Sequence, residues 1–180
     1  VHDLTYVHYP ELIEKNNLPH LQRVVPRSIK KSDLILTVSE STKSELVKLF
    51  GIDPNRIITT TVPPDAQFLI RNNNEIHKKY SIPTKKYIFF ISNIEPRKNL
   101  PLLIKAHSGL PKSITSDYSL VISGGMGWKC EESLDAIKTA QDNNLRVVYT
   151  GYIDEQDKSA LYQNASLFVM PSIYEGFGMP

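Results

Sequence analysis

The stretch YIFFISNIEPRKNLPLLIKAH, residues 87–107, sets the fold class. It opens on an apolar run, YIFFIS (87–92), rich in aromatic and β-branched residues. The run lacks the in/out alternation of a half-exposed strand, so it suits a strand buried on both faces of a parallel sheet. Apolar residues at helical spacing follow in LPLLIKAHSGL (100–110). Between the two lies a short polar turn, SNIEPRKNL (92–100). Strand, short loop and helix in that order form the repeating unit of an α/β fold.

The same unit recurs along the chain. LILTV (34–38), IITTTV (57–62), SLVIS (119–123), RVVYT (146–150) and LFVM (167–170) read as further buried strands. Ser39 is placed to cap a helix running to Phe50, with Gly51 just past its end. EESLDAIKTAQ (131–141) has helical spacing, and Asp154 is placed to cap EQDKSALYQNA (155–165). The turn-rich VPPDAQF and the polar RNNNEIHKKY mark a seam. The expected organisation is therefore a partial Rossmann-like domain over 1–65, its tail end only, and a linker with a short helix over 66–84. A second Rossmann-like parallel-sheet domain, itself incomplete, is expected over 85–180. The opening on Val1 rather than Met leads to the expectation of a piece of a longer protein.

Composition narrows the function. Lys plus Arg number 21 against 19 Asp plus Glu, a balance of +2 that argues against bulk nucleic-acid binding. The longest apolar runs are too short to span a bilayer. A single cysteine, Cys130, excludes an intrachain disulfide and fits a reducing, cytoplasmic compartment. Arg23, Arg27, Lys30 and Lys31 form a basic stripe at helical spacing. Such a stripe is more often a solvated face; the alternative is peripheral contact with anionic lipid at the inner face of a membrane. NAS (164–166) matches a glycosylation sequon, but it falls where a helix meets a buried strand and is set aside.

Ligands of open α/β sheets bind outside the carboxyl ends of the strands, so the loops there hold the candidate residues. Arg97 and Lys98, beside a helix N-terminus, suit a diphosphate, although charged pairs also decorate ordinary loops. Gly124 and Gly125 in SGGMGW (123–128) permit close backbone approach or a tight turn; the pattern matches neither a G-x-G-x-x-G nor a Walker sequence. Gly151, Tyr152 and Ile153 are expected to form a flat apolar ledge for a base ring, with a plain strand-to-helix turn as the alternative. SIYEGFGMP (172–180) sets Glu175 in a bend where Gly176 and Gly178 flank Phe177. His2 and Asp3 read as the exit of a strand, with Asp3 placed to cap the next turn. No His/Cys/Asp cluster has metal-ligand spacing, so no metal is expected.

Taken in order, VHDLTYVHYPE, SDLILTVSE, NIEPRKNLPLLIKAH, LVISGGMGW and VVYTGYIDEQDKSALYQNASLFVMPSIYEGFGMP resemble the retaining family-4 (group 1) glycosyltransferases of the GT-B fold. The resemblance covers essentially the whole chain. Its E-P-R-K-N and P-S-x-x-E-G-F-G-x-P segments are its most specific parts.

The resemblance implies two Rossmann-like domains, the C-terminal one binding a nucleotide-diphosphate sugar and the N-terminal one the acceptor. It implies that Lys98 pairs with the donor diphosphate and that Arg97 assists. Many members carry an arginine near Asn93; this chain has Ser92 and Asn93 there, so Arg97 takes that role or it is absent. Glu175 matches the first glutamate of the family's Glu-x7-Glu pattern, a handle on donor-sugar hydroxyls, and the second falls beyond Pro180. The backbone of Gly176, Phe177 and Gly178 resembles the loop that approaches sugar and phosphate. His2 matches the histidine that faces the reacting sugar.

The implied activity is transfer of a sugar, with retention, from a nucleotide sugar to a hydroxyl on a glycan or lipid-linked acceptor. Surface polysaccharide or glycolipid assembly is the implied setting, with no cofactor beyond the donor. A non-catalytic sugar-nucleotide-binding domain and a sugar-nucleotide epimerase of the same fold are the alternatives.

Overall fold

The computed structural model describes residues 1–69 and 75–180, with the backbone alone for Gln67 and Leu69. Part of the expected linker, 70–74, lies outside the described residues. The chain forms two compact units: Val1–Pro64 with Tyr174–Met179, and Asp65–Ile173 with Pro180.

The first unit runs α1 (Thr5–His8), α2 (Leu18–Lys31), β1 (Ile35–Thr37), α3 (Glu40–Phe50) and β2 (Ile57–Thr59). The two strands pair in parallel, with Ile35 opposite Ile57. Ser39 caps α3 as its sequence position indicates: its Oγ accepts from the Thr42 N–H at 3.1 Å. Gly51 closes the helix in the left-handed region at φ 63°, where a side chain would be strained. Leu4, Ile29, Ile35, Leu46 and Ile57 make the core. Helix α2 lays Leu18, Leu21, Val25 and Ile29 on that core and leaves Arg23, Arg27, Lys30 and Lys31 exposed. Val1–Leu4 is irregular, and Asp3 Oδ1 accepts from the Thr5 N–H at 3.0 Å, capping the turn into α1.

The second unit runs α4 (Ile76–Lys79), β3 (Lys86–Ile91), α5 (Leu100–Ser108), α6 (Lys112–Asp117), β4 (Tyr118–Ser123), α7 (Glu131–Asp142), β5 (Val147–Gly151), α8 (Glu155–Asn164) and β6 (Leu167–Phe168). The four strands are parallel in the order β5-β4-β3-β6. Successive residues of β3 and β4 enter opposite cores. Phe90, Leu120 and Ile122 pack with Leu103 of α5 and Ile137 of α7. Tyr87, Phe89 and Val121 pack with Ala160 and Leu161 of α8. Both faces are thus covered, which is why the strand sequences are continuously apolar. The chain steps outward from β3 through β4 to β5, then returns to the far side of β3 as β6. That reversal makes β3 the switch point of a doubly wound sheet, the place where such sheets bind ligands.

Two local expectations are corrected. Asp154 occupies the N-cap position of α8, but its side chain makes no capping bond. Its Oδ2 lies 2.5 Å from Lys79 Nζ, and Lys79 also pairs with the buried Asp157, which accepts from Tyr80 Oη at 2.6 Å. A charged partner outcompetes a backbone N–H for that carboxylate. The strands expected over 57–62 and 167–170 end at Thr59 and Phe168. Among the described residues, no helix is long and apolar enough to cross a membrane.

Candidate functional site

In the second unit the parallel strands bring their carboxyl ends to one edge. The loops 92–99, 124–130 and 152–154 therefore sit together there. Hydrogen bonding continues past the strand ends. Ser92 N donates to Ser123 O at 3.0 Å, Ile94 N to Gly125 O at 2.9 Å, and Gly124 N to Gly151 O at 2.8 Å. Tyr149 Oη adds a bond to Gly124 O at 3.0 Å. Such stitching makes the loops a fixed platform.

Gly124 has φ 138°, and a Cβ there would stand 1.8 Å from Ser92 O, so the sheet itself requires this glycine. At Gly125 a Cβ would meet only Asn93 Oδ1 at 3.9 Å, so nothing in the described fold excludes a side chain there. The Asn93 side chain is exposed on the neighbouring loop, 92–99.

Residues Pro96–Lys98 form one short helical turn, and Asn99, at φ 54°, redirects the chain into α5. Lys98 is buried, with 7% of its surface exposed. The Arg97 guanidinium is held by Glu95: Nη2 and Nε lie 2.8 and 3.1 Å from Glu95 Oε1. Glu95 is 4% exposed, and sequence reasoning passed over it. Its signal was present, an acid two residues before the arginine in a turn. Ile173 N donates to Arg97 O at 2.9 Å, which ties the segment after β6 to this loop at the switch point. A buried ammonium and a carboxylate-oriented guanidinium at the start of α5 suit an anionic group.

The expected ledge is corrected. Tyr152 is 76% exposed, but Ile153 is 2% exposed and belongs to the core beneath α8. Only the tyrosine ring is offered outward: β5 ends at Gly151, whose φ of 69° turns the chain, and Ile153 drops into the core while Tyr152 stays at the surface.

In the first unit the structure brings His2 and Gly176 together. A Cβ at Gly176 would stand 1.9 Å from His2 O and 3.0 Å from Asp3 Cβ, so only glycine lets this segment lie on the His2–Asp3 backbone. The Gly176 carbonyl accepts from Ser39 Oγ at 2.5 Å and Thr42 Oγ1 at 3.5 Å. Thr42 Oγ1 also reaches His2 O at 3.4 Å. The His2 side chain is exposed.

One turn further along α3, Glu45 places Oε1 3.0 Å from His8 Nε2 and accepts from the Tyr174 hydroxyl through Oε2. The Tyr174 ring lies 5.4 Å from His8 and 6.0 Å from Tyr9, centroid to centroid. Burial, and then the bond to Glu45, push the Tyr174 phenol above the usual tyrosine range. Glu175 is half-buried, Phe177 is 44% exposed, and Gly178 takes φ 82°. Sequence reasoning missed Thr42, Glu45 and Tyr174. Their only local signal is the three-residue spacing of Ser39, Thr42 and Glu45 on one helix face. Among the described residues, no group of three or more His, Cys, Asp or Glu is set to hold a metal ion.

A family model described as glycosyl transferases group 1 matches residues 72–180. The chain is 32% identical over 182 residues to O-antigen chain mannosyltransferase B of Escherichia coli, covering 99% of this chain and 48% of that protein. It is 31% identical over 160 residues to the serotype-specific mannosyltransferase WbdA of Escherichia coli, covering 83% of this chain and 19% of that protein. The chain thus spans about half the length of the first of these relatives and about a fifth of the second. Sucrose-phosphate synthase from Thermosynechococcus elongatus superposes with a TM-score of 0.74 at 18% identity, covering 99% of this chain and 45% of that one. Anabaena HepE, solved in complex with UDP and glucose, gives 0.72 at 16%, covering 94% and 45%. At such identities the likeness speaks for the fold, which is of the GT-B type.

Proposed function

We propose that this chain, which belongs to the group 1 glycosyl transferases, supplies the donor-binding part of an enzyme that moves a sugar from a nucleotide-diphosphate sugar to a hydroxyl acceptor. One observation carries the reading: Lys98 is buried in the loop after β3, at the switch point, beside an Arg97 oriented by Glu95. The Escherichia coli relatives named as mannosyltransferases support mannose as the sugar and an O-antigen-type polysaccharide as the acceptor. HepE, solved with UDP and glucose, supports a nucleotide donor.

In this reading the bond between the anomeric carbon and the phosphate oxygen breaks, and its electron pair leaves with the diphosphate. The acceptor oxygen bonds the anomeric carbon, and its proton passes to the departing diphosphate oxygen. Lys98 and Arg97 stabilise the departing negative charge, which is the interaction that strengthens as the reaction proceeds. Glu175 accepts from donor-sugar hydroxyls, and the backbone of Gly176, Phe177 and Gly178 approaches the sugar. His2 faces the reacting carbon. Gly125 and Asn93 border the diphosphate, and Tyr152 stacks on the base. Retention of configuration rests on the family resemblance. The exposed cations of α2, whose apolar face is already committed to the core, suit electrostatic contact with anionic lipid on the cytoplasmic side.

The test is release of nucleoside diphosphate by the intact protein from GDP-mannose and UDP-glucose with an oligosaccharide acceptor. Turnover with a mannose donor, and a product anomer of unchanged configuration by proton NMR, are expected. Donor binding without turnover would instead favour a binding module, and a changed sugar still on its nucleotide would favour an epimerase.

A further inference from the structure

We infer that Glu45 is a positioning residue for Glu175, acting through Tyr174. This rests on the reading that Glu175 meets the donor sugar. Glu175 lies between two residues that are both fastened to one face of α3. Before it, the Tyr174 hydroxyl donates to Glu45 Oε2. After it, the Gly176 carbonyl accepts from Ser39 Oγ at 2.5 Å and Thr42 Oγ1 at 3.5 Å. Glu45 is itself oriented, because its other oxygen lies 3.0 Å from His8 Nε2. The His8 ring also packs against Tyr174 at 5.4 Å, so the phenol is held at its rim and on its face.

With the backbone fastened on both sides, the point from which the Glu175 side chain leaves the chain is set by α3. A group that must meet particular hydroxyls in the transition state gains rate from such restriction, and misplacement by about 1 Å can cost on the order of a hundredfold. The arrangement does more than join two parts of a fold. A packed phenylalanine at 174 would serve for burial alone, whereas the hydroxyl and Glu45 fix the direction of the chain.

The test uses the intact protein with Glu45→Gln, Tyr174→Phe, Glu175→Ala and the double variant Glu45→Gln/Glu175→Ala. Turnover is measured with GDP-mannose, affinity for GDP alone by calorimetry, and the thermal midpoint separately. Glu45→Gln and Tyr174→Phe are each expected to lower kcat about tenfold, with GDP affinity unchanged within about twofold. In the double variant, Glu45→Gln is expected to add nothing to the loss from Glu175→Ala. A lowered thermal midpoint with full kcat in the folded enzyme would reduce Glu45 to a structural role and overturn the inference, and so would losses that multiply in the double variant. Tyr174→Phe keeps the ring and so guards against a variant that fails to fold. A drop in Glu175→Ala with none in Glu45→Gln overturns the inference alone. Full activity in Glu175→Ala overturns the reading beneath it and the inference together.

Discussion

The glycine bends at Gly124 and Gly176 meet the same obstacle and are fixed by different means. A side chain at either would run into a backbone oxygen, at 1.8 Å from Ser92 O and at 1.9 Å from His2 O. Gly124 is held by its backbone bond to Gly151 at the end of β5 and by Tyr149. Gly176 is held by side chains of α3, with Ser39 137 residues away in sequence. The first bend is part of a sheet and cannot move unless the sheet does. The second is a segment laid on a helix and a coil, and it can be detached one hydrogen bond at a time.

Gly124→Ala should therefore have the largest effect. It combines a backbone clash with a strained positive φ, and a loss of about 3 kcal/mol or more is expected in denaturant unfolding. Gly176→Ala should cost about 2 kcal/mol, because the segment can lift away from His2 while the cores stay intact. Equal losses at the two sites would erase the distinction. Ser39→Ala removes both the cap of α3 and a bond to the Gly176 carbonyl, and about 1.5 kcal/mol is expected. A loss no greater than that of an ordinary cap would mean the Gly176 bond contributes nothing.

The smallest effect sharpens the contrast through pH. Burial alone pushes the Tyr162 phenol up to about 12. A raised value in the folded state means stability that is fully present below the ordinary tyrosine value near 10 and lost as pH rises toward 12. Tyr162→Phe should flatten the fall in thermal midpoint over that range. Tyr174, raised by burial first and then by its bond to Glu45, should lose its hold on that carboxylate as its phenol ionises at alkaline pH.

The contrast also explains what could be read in advance. The doubly wound sheet was legible because Tyr87 to Ile91 and Ser119 to Ile122 are buried on both faces, and a short apolar run without alternation, set between helical segments, suits a strand covered on both sides. The place of Lys98 and Arg97 in the fold was legible because they follow such a strand directly. Glu95 was passed over, because its burial and its hold on Arg97 exist only in the folded turn. Ile153 was placed wrongly because it lies past the end of β5, where the packing of α8 and not local composition decides which side chain turns inward. Asp154 sits at a cap position, yet Lys79, 75 residues earlier, claims its carboxylate. Glu45 and Tyr174 meet across 129 residues, a distance over which periodicity carries no information. Local chemistry was visible, and partners brought close only by folding were not.

The proposed diphosphate site stands or falls on Lys98. Calorimetric titration of GDP and of UDP into the intact protein and its Lys98→Ala variant tests it most directly. Binding of at least one nucleoside diphosphate, weakened at least about tenfold by the substitution with the thermal midpoint preserved, is expected. Equal affinity in the two proteins would contradict it.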